Sequence, residues 1–359
     1  MTPPSPHRTA MREEIDAIPG VVERFLDEGR DEVGAAADAI RRAAPAFVTI
    51  VARGTSDHAA LHLRYLIETE LGIPTGLAAP SITTIYGATI RWRAGLVVAV
   101  SQSGRSPDLI AVLESARAEG ATTVAIANDA SSPLAGAADH VIDCRAGEER
   151  AVAATKSYVA QLAAGAALVA AVRGGDRLGR GLGGMPSILA AVLHAAAGRV
   201  HDESDIVEAF AASERSIVIS RGYDYATALE TALKLKETGR LFAEGYSSAD
   251  FSHGPKVLSD AGVPVLAIRP AGAMGDAVDE GIAAARDAGG RPWIIAAETR
   301  AAGGVRDRVI ALPLPADLHP GLAPLATILP GQLLAEAVAR RRGYDPDAPP
   351  GLRKVTLTR

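Results

Sequence analysis

Short apolar runs alternate with longer stretches of helical periodicity from residue 46 onward. The runs that we predict to be strands are 47–52, 96–100, 123–127 and 140–144 in the first half, and 216–220, 263–268, 292–297 and 309–312 in the second. Amphipathic patterns such as 56–71 and 107–119 lie between these runs and predict helices. Because this alternation is typical of an α/β fold, we predict doubly wound parallel sheets that are flanked by helices.

The two halves of the chain align with each other at a constant offset of 168 positions. Arg53-Gly54 is matched by Arg221-Gly222, and Gly104 is matched by Gly272. An internal repeat of this size indicates two copies of one α/β domain.

We place the two domains at 31–175 and 200–342, with an N-terminal tail and helix over 1–30 and a C-terminal tail over 343–359. A helical pattern over 11–28 is predicted to pack against the first domain, with an interruption at Pro19-Gly20. The Gly- and Arg-rich stretch 173–185 marks the predicted boundary, and a helix over 188–201 leads into the second domain.

A hydroxyl-rich segment follows the second apolar run of the first copy. Ser101, Gln102, Ser103 and Ser106 stand there, just before a helix that is predicted to begin near Pro107. Ligands of open α/β sheets bind beyond the carboxyl ends of strands, and helix N-termini offer unpaired N–H groups to anions. The segment therefore suits a phosphate, although an ordinary loop with a serine cap would have the same composition. The second copy has Arg269-Pro270-Ala271 at this place, so we predict one phosphate site, in the first domain.

Composition narrows the choice of partners and compartment. The formal net charge is −5 without a dense basic stripe, which argues against nucleic acid as a partner. Cys144 is the single cysteine, so no intramolecular disulfide or cysteine-rich metal site can form, and a cytoplasmic setting is expected. The longest apolar stretch, near 162–172, is too short to cross a bilayer, and the first residues lack the apolar core of a secretion signal. We predict no membrane partner.

Six short motifs follow one another along the chain. They are RGTS at 53–56, SQSG at 101–104, AVAATK at 151–156, ALKLKE at 232–237, HGP at 253–255 and GLRKVT at 351–356. In this order they resemble the double-SIS (sugar isomerase) family, which includes the isomerase domain of glucosamine-6-phosphate synthase and its glutaminase-free aminosugar-phosphate deaminase/isomerase relatives. The resemblance covers residues 11–358 and implies two tandem SIS domains.

The resemblance also implies a hexose 6-phosphate substrate and a set of binding residues. The phosphate would be held by Ser101, Gln102, Ser103 and Ser106. The sugar would be lined by Ser56 and the backbone near Val152, with Gly54, Thr55, Arg105 and Ala154 as further candidates. Three positions depart from the synthase, which has serine where this chain has Ala154, an acidic residue where it has Arg105, and asparagine where it has Gly351.

ALKLKE suggests acid–base chemistry. Lys234 and Glu237 are three positions apart and share a helix face, whereas Lys236 points elsewhere. Such a pair is most often a surface ion pair. An aldose–ketose isomerisation, however, needs one base that carries a proton between C1 and C2 and a cation beside the developing oxyanion. With the family resemblance, we assign these roles to Glu237 and Lys234.

Two further residues are assigned from the resemblance. His253 is the candidate acid/base for opening the sugar ring, and in the synthase the matching histidine reaches into the neighbouring subunit, which implies a homodimer. The alternative is that His253 only caps the backbone of a local turn. Lys354 matches a lysine that closes over the sugar and can form an imine, whereas composition alone would make it a solvated tail residue.

His58 and His62 have the spacing of a helical zinc motif, but residues 59–61 lack the glutamate of that motif and no third ligand is evident. We predict no metal and no cofactor.

The expected reaction is deamination of an amino-hexose 6-phosphate, first of all glucosamine 6-phosphate, to a ketose 6-phosphate and ammonia. The sequence has no catalytic cysteine near its N-terminus, so we expect no ammonia channelled from glutamine. Two alternatives stay open at this point. One is a deglycase or aminotransferase that acts on another C1- or C2-amino sugar phosphate, and the other is a non-catalytic sugar-phosphate sensor.

Overall fold

The computed structural model describes residues 8–175, 177–260, 262–297 and 308–354, which fall into two compact units. The first-sheet unit comprises Ile18–Glu149, Lys156–Pro186 and Arg353–Arg359. The second-sheet unit comprises Met1–Ala17, Arg150–Thr155 and Ser187–Leu352. Each unit contains one five-stranded parallel sheet, which confirms the predicted α/β class. The domain boundaries that we placed from the sequence stay a prediction.

The first sheet consists of strands β1 to β5. They are Phe47–Val51, Thr75–Leu77, Gly95–Ser101, Thr122–Ala127 and His140–Asp143. Their order in the sheet is β2-β1-β3-β4-β5, and all pairs are parallel. Every residue of β3 is buried, as expected for the central strand of a parallel sheet that is covered on both faces.

The second sheet consists of strands β6 to β10. They are Arg215–Ser220, Phe242–Ser247, Val265–Arg269, Trp293–Ala296 and Val309–Ala311. Their order is β10-β9-β8-β6-β7, which is the topology of the first sheet again.

The helices of both units are listed here in chain order. They are α1 Ala10–Asp16, α2 Ile18–Glu28, α3 Arg30–Ala43, α4 Thr55–Leu66, α5 Ser81–Thr84, α6 Pro107–Ala118, α7 Pro133–Ala137, α8 Lys156–Arg173, α9 Arg177–Leu182, α10 Met185–Ala197, α11 Asp205–Ala211, α12 Tyr225–Gly239, α13 Ser248–Ser252, α14 Ala273–Asp287 and α15 Ala323–Arg341. A π-helical turn, Ile67–Leu71, extends α4 to the end of the predicted helix 56–71.

The internal repeat extends to the register of strand pairing. Thr49 pairs with Val97 in the first sheet, and Ile217 pairs with Val265 in the second, which is the same offset of 168 for both partners. The glycines that end these strands also repeat. Gly54 and Gly222 have φ of 57° and 64°, and Gly104 and Gly272 have φ of 62° and 65°. A residue with a Cβ rarely adopts this backbone conformation, so the turn geometry explains the matched glycines.

All eight predicted strands are present, with ends that shift by one or two residues, whereas β2 and β7 were not predicted. Both are edge strands. β2 has three residues, and β7 has Glu244 and Gly245 in its middle, so neither forms an apolar run. An edge strand is covered on fewer sides than a central one and needs less apolar surface, which is why the pattern did not show them.

The N-terminal helix departs from its prediction. The segment forms two helices, α1 and α2, that separate at Ala17, and Pro19 lies in the first turn of α2 where a proline loses no hydrogen bond. α2 packs against α8 in the first-sheet unit, as predicted, but α1 packs against α15 in the second-sheet unit.

Specific contacts hold α1 in the second-sheet unit. The Asp347 carboxylate accepts the N–H groups of Ala10 and Met11 at 2.7 Å each, and the Thr9 hydroxyl donates to Glu336 at 2.8 Å. The prediction that the whole helix packs on the first domain is therefore wrong for α1. These partners lie more than three hundred residues away along the chain, beyond the reach of a local pattern.

One described helical stretch, Pro320–Arg341, is long and apolar enough to cross a membrane, and its apolar window is wholly buried inside the protein. The stretch contains α15, which packs along α12 in the second-sheet unit. Burial on all sides is typical of a core helix and explains its uniform apolar composition.

A glycine permits close packing of α15 against α12. A Cβ at Gly331 would lie 2.4 Å from Thr231 Oγ1 and 2.9 Å from its Cγ2. Since a threonine side chain is stiff, it cannot move aside easily. We predict that Gly331→Ala lowers the free energy of unfolding by about 1–3 kcal/mol, the usual cost of overpacking.

Gly34→Ala in α3 is the matched control, because a Cβ there meets nothing within 4 Å. This change should leave stability unchanged or raise it by up to ~1 kcal/mol through helix propensity. Denaturant unfolding of both variants measures the difference. Equal stability of the two variants would contradict close packing at Gly331.

Candidate functional site

Two loops lie at the point of the first sheet where the strand order reverses. In the order β2-β1-β3-β4-β5 the connections that follow β1 and β3 leave in opposite directions, and the crevice between them is the usual ligand site of such sheets. Residues 53–56 follow β1, and residues 101–106 follow β3. The topology therefore places the RGTS and SQSG motifs at the same sheet edge.

The serine hydroxyls shape the loop that follows β3. Ser101 Oγ accepts the N–H of Gly104 at 3.1 Å, and Ser103 Oγ accepts the N–H of Arg105 at 3.3 Å. Each hydroxyl keeps its own O–H, which can donate to a phosphate oxygen. Gly104 has a positive φ, and a Cβ there would come within 2.1 Å of Ser132 Oγ, so this position accepts only glycine.

Some of the loop N–H groups that we expected to bind phosphate already donate hydrogen bonds within the protein. The N–H groups of Gly104 and Arg105 donate to the serines, and that of Leu109 donates to the Asp108 carboxylate at 3.0 Å. The expectation of freely available helix-start donors is wrong for these groups, because nearby oxygens already accept them. Ser106 is the N-cap residue of α6, and its side chain makes no capping bond, so its hydroxyl is available to a ligand.

Two arginines at this edge each face a carboxylate. Arg53 Nε donates to the fully buried Asp108 at 2.9 Å, and about half of the Arg53 side chain is exposed. Arg105 lies 3.4 Å from Asp129 and is largely exposed. Hydrogen bonds from Ser131, with a smaller contribution from Arg105, hold the pKa of the Asp129 carboxyl below its usual value. Arg105 is thus oriented by Asp129 at the rim of the loop.

Ser56 lies in the first turn of α4, beyond the positive-φ Gly54 and next to Thr55. Its buried hydroxyl accepts the side-chain amide of Gln161 on α8 at 2.9 Å. Gln161 was not singled out from the sequence. It stands in an uninterrupted apolar helix, where a polar side chain implies a buried partner.

The matching loop of the second sheet is filled by an ion pair. Arg269 stands where the first copy has Ser101, and its guanidinium is buried. It donates to both oxygens of Asp279 at 2.8 Å and lies 3.4 Å from Asp276. The second copy therefore has an arginine neutralised by carboxylates at the position where the first copy has the Ser101 hydroxyl.

A charged trio lies on α12. Lys234 is fully buried, and its Nζ lies 3.4 Å from the equally buried Glu230 and in contact with Glu237. About a quarter of the Glu237 side chain is exposed. Lys236 points elsewhere, as predicted, and lies 3.6 Å from Glu244. The sequence prediction paired Lys234 with Glu237 but missed Glu230, although the spacing of four positions places it on the same helix face.

His253 ends α13 and is exposed. Its backbone N–H donates to the Asp250 carbonyl at 3.2 Å, and Pro255 begins a short 3₁₀ turn, Pro255–Leu258. Its imidazole makes no hydrogen bond or ion pair within the ranges that the structure describes. The role of His253 in a partner subunit stays a prediction.

The segment 150–155 is fixed by elements of the second-sheet unit. The buried Glu14 of α1 accepts the N–H groups of Arg150 and Ala151, and the Asp347 carbonyl accepts that of Val152 at 3.0 Å. The Val152 N–H is therefore already engaged, which leaves its carbonyl as the group that can face a sugar. Ala154 is half-buried and presents a methyl group at the position where the family resemblance implies a serine.

Lys354 is held by a buried carboxylate within the first-sheet unit. Its Nζ lies 2.9 Å from Glu149, whose side chain is fully buried. Glu149 also accepts the N–H and the hydroxyl of Ser157, at 3.1 and 2.8 Å. The alternative of a solvated tail lysine is thus wrong, and Glu149 is a residue that the sequence prediction missed. The last residues of the same motif, Val355 and Thr356, lie outside the described residues.

Two other groups bear on the chemistry. The Cys144 thiol is buried, and that burial raises its pKa, so the group does not suit nucleophilic catalysis. In the described parts of the chain, no group of three or more His, Cys, Asp or Glu residues could hold a metal ion.

A buried acid marks the second copy. Asp224 stands where the first copy has Ser56, and it precedes α12 directly. The hydroxyls of Thr227, at 3.2 Å, and of Thr327 donate to its Oδ1. Burial raises the pKa of the Asp224 carboxyl to about 6, and the two hydroxyl bonds offset part of that effect.

This raised pKa predicts a pH-dependent stability. The ordinary pKa of an aspartate is 3.8, and the pKa of Asp224 in the folded chain is about 6. At a pH between these two values, the folded chain keeps the Asp224 proton and the unfolded chain loses it. The contribution of this group to the free energy of unfolding is fully present below the ordinary pKa. About 3 kcal/mol of it is lost as pH rises through the pKa of the folded state. Asp224→Asn should remove this loss, whereas the exposed Asp205→Asn should keep it. Urea unfolding between about pH 4 and pH 7 measures the slope, and an unchanged slope in Asp224→Asn would contradict the assignment.

Known proteins with similar sequences show which family this chain belongs to. The family model described as the SIS domain matches residues 47–171 and 209–328. A glutamine–fructose-6-phosphate aminotransferase (isomerizing) from Gloeobacter violaceus is 35% identical over 97% of this chain and 58% of its own length. The chain thus spans little more than half of the curated relatives that it matches.

Two solved structures have the same fold over nearly the whole chain. A proposed phosphosugar isomerase from Silicibacter pomeroyi DSS-3 is 39% identical, with a TM-score of 0.85 and coverage of 95% of this chain and 100% of that one. The C-terminal domain of a glucosamine-fructose-6-phosphate aminotransferase from Francisella tularensis is 27% identical, with a TM-score of 0.83 and coverage of 96% and 99%. With two parallel sheets of one topology and a family match in each half, the chain belongs to the SIS domain family as a tandem of two SIS domains.

Proposed function

We propose that this chain is a phosphosugar isomerase that deaminates an amino-hexose 6-phosphate, with glucosamine 6-phosphate as the first candidate, to a ketose 6-phosphate and ammonia. The observation that carries the proposal is the trio on α12, in which a fully buried Lys234 contacts a partly exposed Glu237. Burying an ammonium and two carboxylates costs desolvation free energy, and buried charged clusters of this kind are typical of catalytic sites. Proton transfer at a sugar carbonyl is a reaction that such a cluster can perform.

The roles follow from the chemistry of an open-chain 2-amino aldose. Glu237 removes the proton from C2, and the negative charge that develops on the C1 oxygen is stabilised by the Lys234 ammonium. The proton returns at C1, and a proton of the C2 amino group passes to the C1 oxygen, which leaves a hydroxyl group on C1 and an imine at C2. Water adds to that imine, and the C–N bond breaks to give the ketone and ammonia. His253, whose imidazole makes no hydrogen bond with the residues that the structure describes, is assigned the preceding ring opening.

Substrate binding is assigned to the loop that follows β3. Ser101, Ser103 and Ser106 each offer a hydroxyl donor, and Arg105 adds a positive charge at the rim. The names of the relatives support the substrate class, since the Gloeobacter violaceus protein is named for fructose 6-phosphate. Lys354 is assigned to the sugar carbonyl, and Glu149 keeps it positioned.

Ammonia is the product in this proposal. The single cysteine, Cys144, is buried with a raised pKa, so this chain offers no thiolate that could release ammonia from glutamine. A second candidate reaction is cleavage of a C1-amino ketose phosphate, since Ala154 removes a hydroxyl that the synthase offers to the sugar. That reaction would use the same phosphate loop and the same trio.

A panel of amino-hexose 6-phosphates tests the function. Ammonia release is measured with glucosamine 6-phosphate, its galactosamine and mannosamine isomers, a 1-amino ketose 6-phosphate and unphosphorylated glucosamine. We expect the 2-amino phosphates to react and unphosphorylated glucosamine to fail. Ammonia release from the C1-amino sugar alone would establish the second candidate, and release from none of them would overturn the assignment as a deaminase.

Glu237→Gln tests the proton carrier. This change should lower turnover by roughly 10²–10⁴-fold and leave sugar-phosphate affinity within a few-fold, because the amide cannot accept the proton. In deuterated water the native protein should place deuterium at C1 of the product. Glu208→Gln, on the exposed face of α11, is the matched control and should have native turnover. Native turnover in Glu237→Gln would eliminate this mechanism.

Ser101→Ala combined with Ser103→Ala tests the phosphate loop. Each hydroxyl bond to a charged phosphate contributes about 1.5–3 kcal/mol, so the double change should weaken sugar-phosphate binding at least roughly tenfold. Ala271→Ser, which adds a hydroxyl to the matching loop of the second copy, should leave binding unchanged. Calorimetric titration of the three proteins gives the comparison. Equal affinity of the double variant and the native protein would show that the phosphate binds elsewhere.

A further inference from the structure

A buried hydrogen-bonded pair joins α4 to α8 within the first-sheet unit. Ser56 lies in the first turn of α4 and Gln161 in the second turn of α8, and both residues are more than nine-tenths buried. The side-chain amide of Gln161 donates to the hydroxyl oxygen of Ser56 at 2.9 Å. Because the serine oxygen is the acceptor in this bond, its own O–H is left to donate to another group.

Two polar groups of this pair find no partner among the described residues. The Ser56 O–H donates to none of them, and the buried Oε1 of Gln161 accepts no hydrogen bond. Turning the amide around would leave its NH₂ group unpaired instead, which is the costlier arrangement, because buried N–H groups lack a partner more rarely than buried carbonyl oxygens. The amide therefore keeps its donor on Ser56, and the serine donor is available to an acceptor outside the protein.

The second copy has a corresponding contact with a different outcome. Asp224 matches Ser56 at the offset of 168, and Thr327 lies on α15, which follows the second sheet as α8 follows the first. The hydroxyls of Thr227 and Thr327 both donate to Asp224. Those two donors are thus used inside the protein. In the first copy, the contact between the helices is retained, but the serine donor is left for a ligand.

Close packing of α4 on α8 holds the pair in place. Gly165 lies one turn beyond Gln161, and a Cβ there would come within 3.2 Å of Leu63 Cδ1. The two helices therefore approach each other closely on the side where Gln161 reaches Ser56. A side chain that is already ordered loses less conformational entropy when a ligand binds, so the Ser56 hydroxyl is preorganised.

The strand register places this pair beside the proposed phosphate loop. Val51, at the end of β1, pairs with Ala99 of β3, two positions before Ser101. Neighbouring strands are about 4.8 Å apart, so the loops that follow β1 and β3 begin side by side. A hexose 6-phosphate whose phosphate is held by the loop after β3 can therefore reach the first turn of α4 with a hydroxyl group of its carbon chain.

We propose that Gln161 is a positioning residue for sugar recognition, an inference that rests on the proposed sugar-phosphate site. By donating to Ser56 Oγ, Gln161 fixes the serine side chain and directs its O–H to one hydroxyl oxygen of the bound sugar. Gln161 acts through Ser56 and does not itself contact the sugar. The pair selects an oxygen at this point of the ligand, since an ammonium group has no lone pair that could accept the serine proton.

Calorimetric titration with fructose 6-phosphate tests this role without any need for catalysis. Ser56→Ala should weaken binding about 3–10-fold, because one hydrogen bond to the sugar is lost. Gln161→Met, which keeps the length of the side chain but lacks the amide, should cause a similar loss. The double variant should bind no more than about twofold more weakly than Ser56→Ala, because Gln161 acts only through Ser56. Inorganic phosphate, measured by competition, should keep its affinity within about twofold in all three variants, since it lacks the sugar.

Thr123→Val is the matched control for the loss of a buried hydrogen bond. Thr123 is fully buried near the amino end of β4 in the same unit, and its hydroxyl donates to Asp139 at 2.8 Å. The control should lower the free energy of unfolding in denaturant and leave the affinity for fructose 6-phosphate within about twofold. A purely structural role of Gln161 would give the same pattern in Gln161→Met.

Gln161→Asn covers the case that Gln161→Met folds poorly. Its amide is one methylene too short to reach Ser56, so it should show the same loss of fructose 6-phosphate affinity. Native affinity in a folded Gln161 variant, additive losses in the double variant, or an equal loss of inorganic phosphate affinity would each overturn the inference. An absence of saturable fructose 6-phosphate binding to the native protein would do so too. None of these results depends on ammonia release, which tests the proposed deamination separately.

Discussion

Parallel pairing is the constraint from which the arrangement of candidate residues follows. Each parallel strand must be reached by a crossover that returns the chain to the same sheet edge, so every carboxyl end lies on one side. Both sheets have the first strand between the second and the third, and the connections after the first and third strands therefore diverge. In the first sheet these two connections are the RGTS and SQSG loops. Their proximity at one edge is a consequence of strand order and needs no contact between them.

The repeat shows how one scaffold supports different chemistry at matched positions. The backbone features are retained in both copies, including the strand register and the positive-φ glycines at 54 and 222. The side chains differ where ligands would bind. Ser101 is matched by Arg269, which is neutralised by Asp279, and Ser56 is matched by the buried acid Asp224. Both copies thus keep one strand topology while these side chains differ.

The sequence predicted the sheet class and the repeat well because both rest on periodic patterns that burial enforces. It failed where partners are distant or where burial is incomplete. β7 was missed since an edge strand tolerates Glu244 and Gly245. α1 was assigned to the wrong unit since its cap, Asp347, lies near the other end of the chain. Glu149 was missed for the same reason, because only folding brings it to Lys354. Glu230, in contrast, was within reach of helix periodicity alone.

Charge balance explains why Lys234 and Glu237 on α12 are accompanied by a third charged group, Glu230. An ammonium as deeply buried as that of Lys234 must always have a carboxylate partner, because an unpaired buried charge is strongly destabilising. Glu230 is fully buried beside it and provides that partner permanently, whereas Glu237 is the member with access to solvent. If Glu237 takes a proton from a sugar, Lys234 still has Glu230, so the transfer never leaves a bare cation in the core.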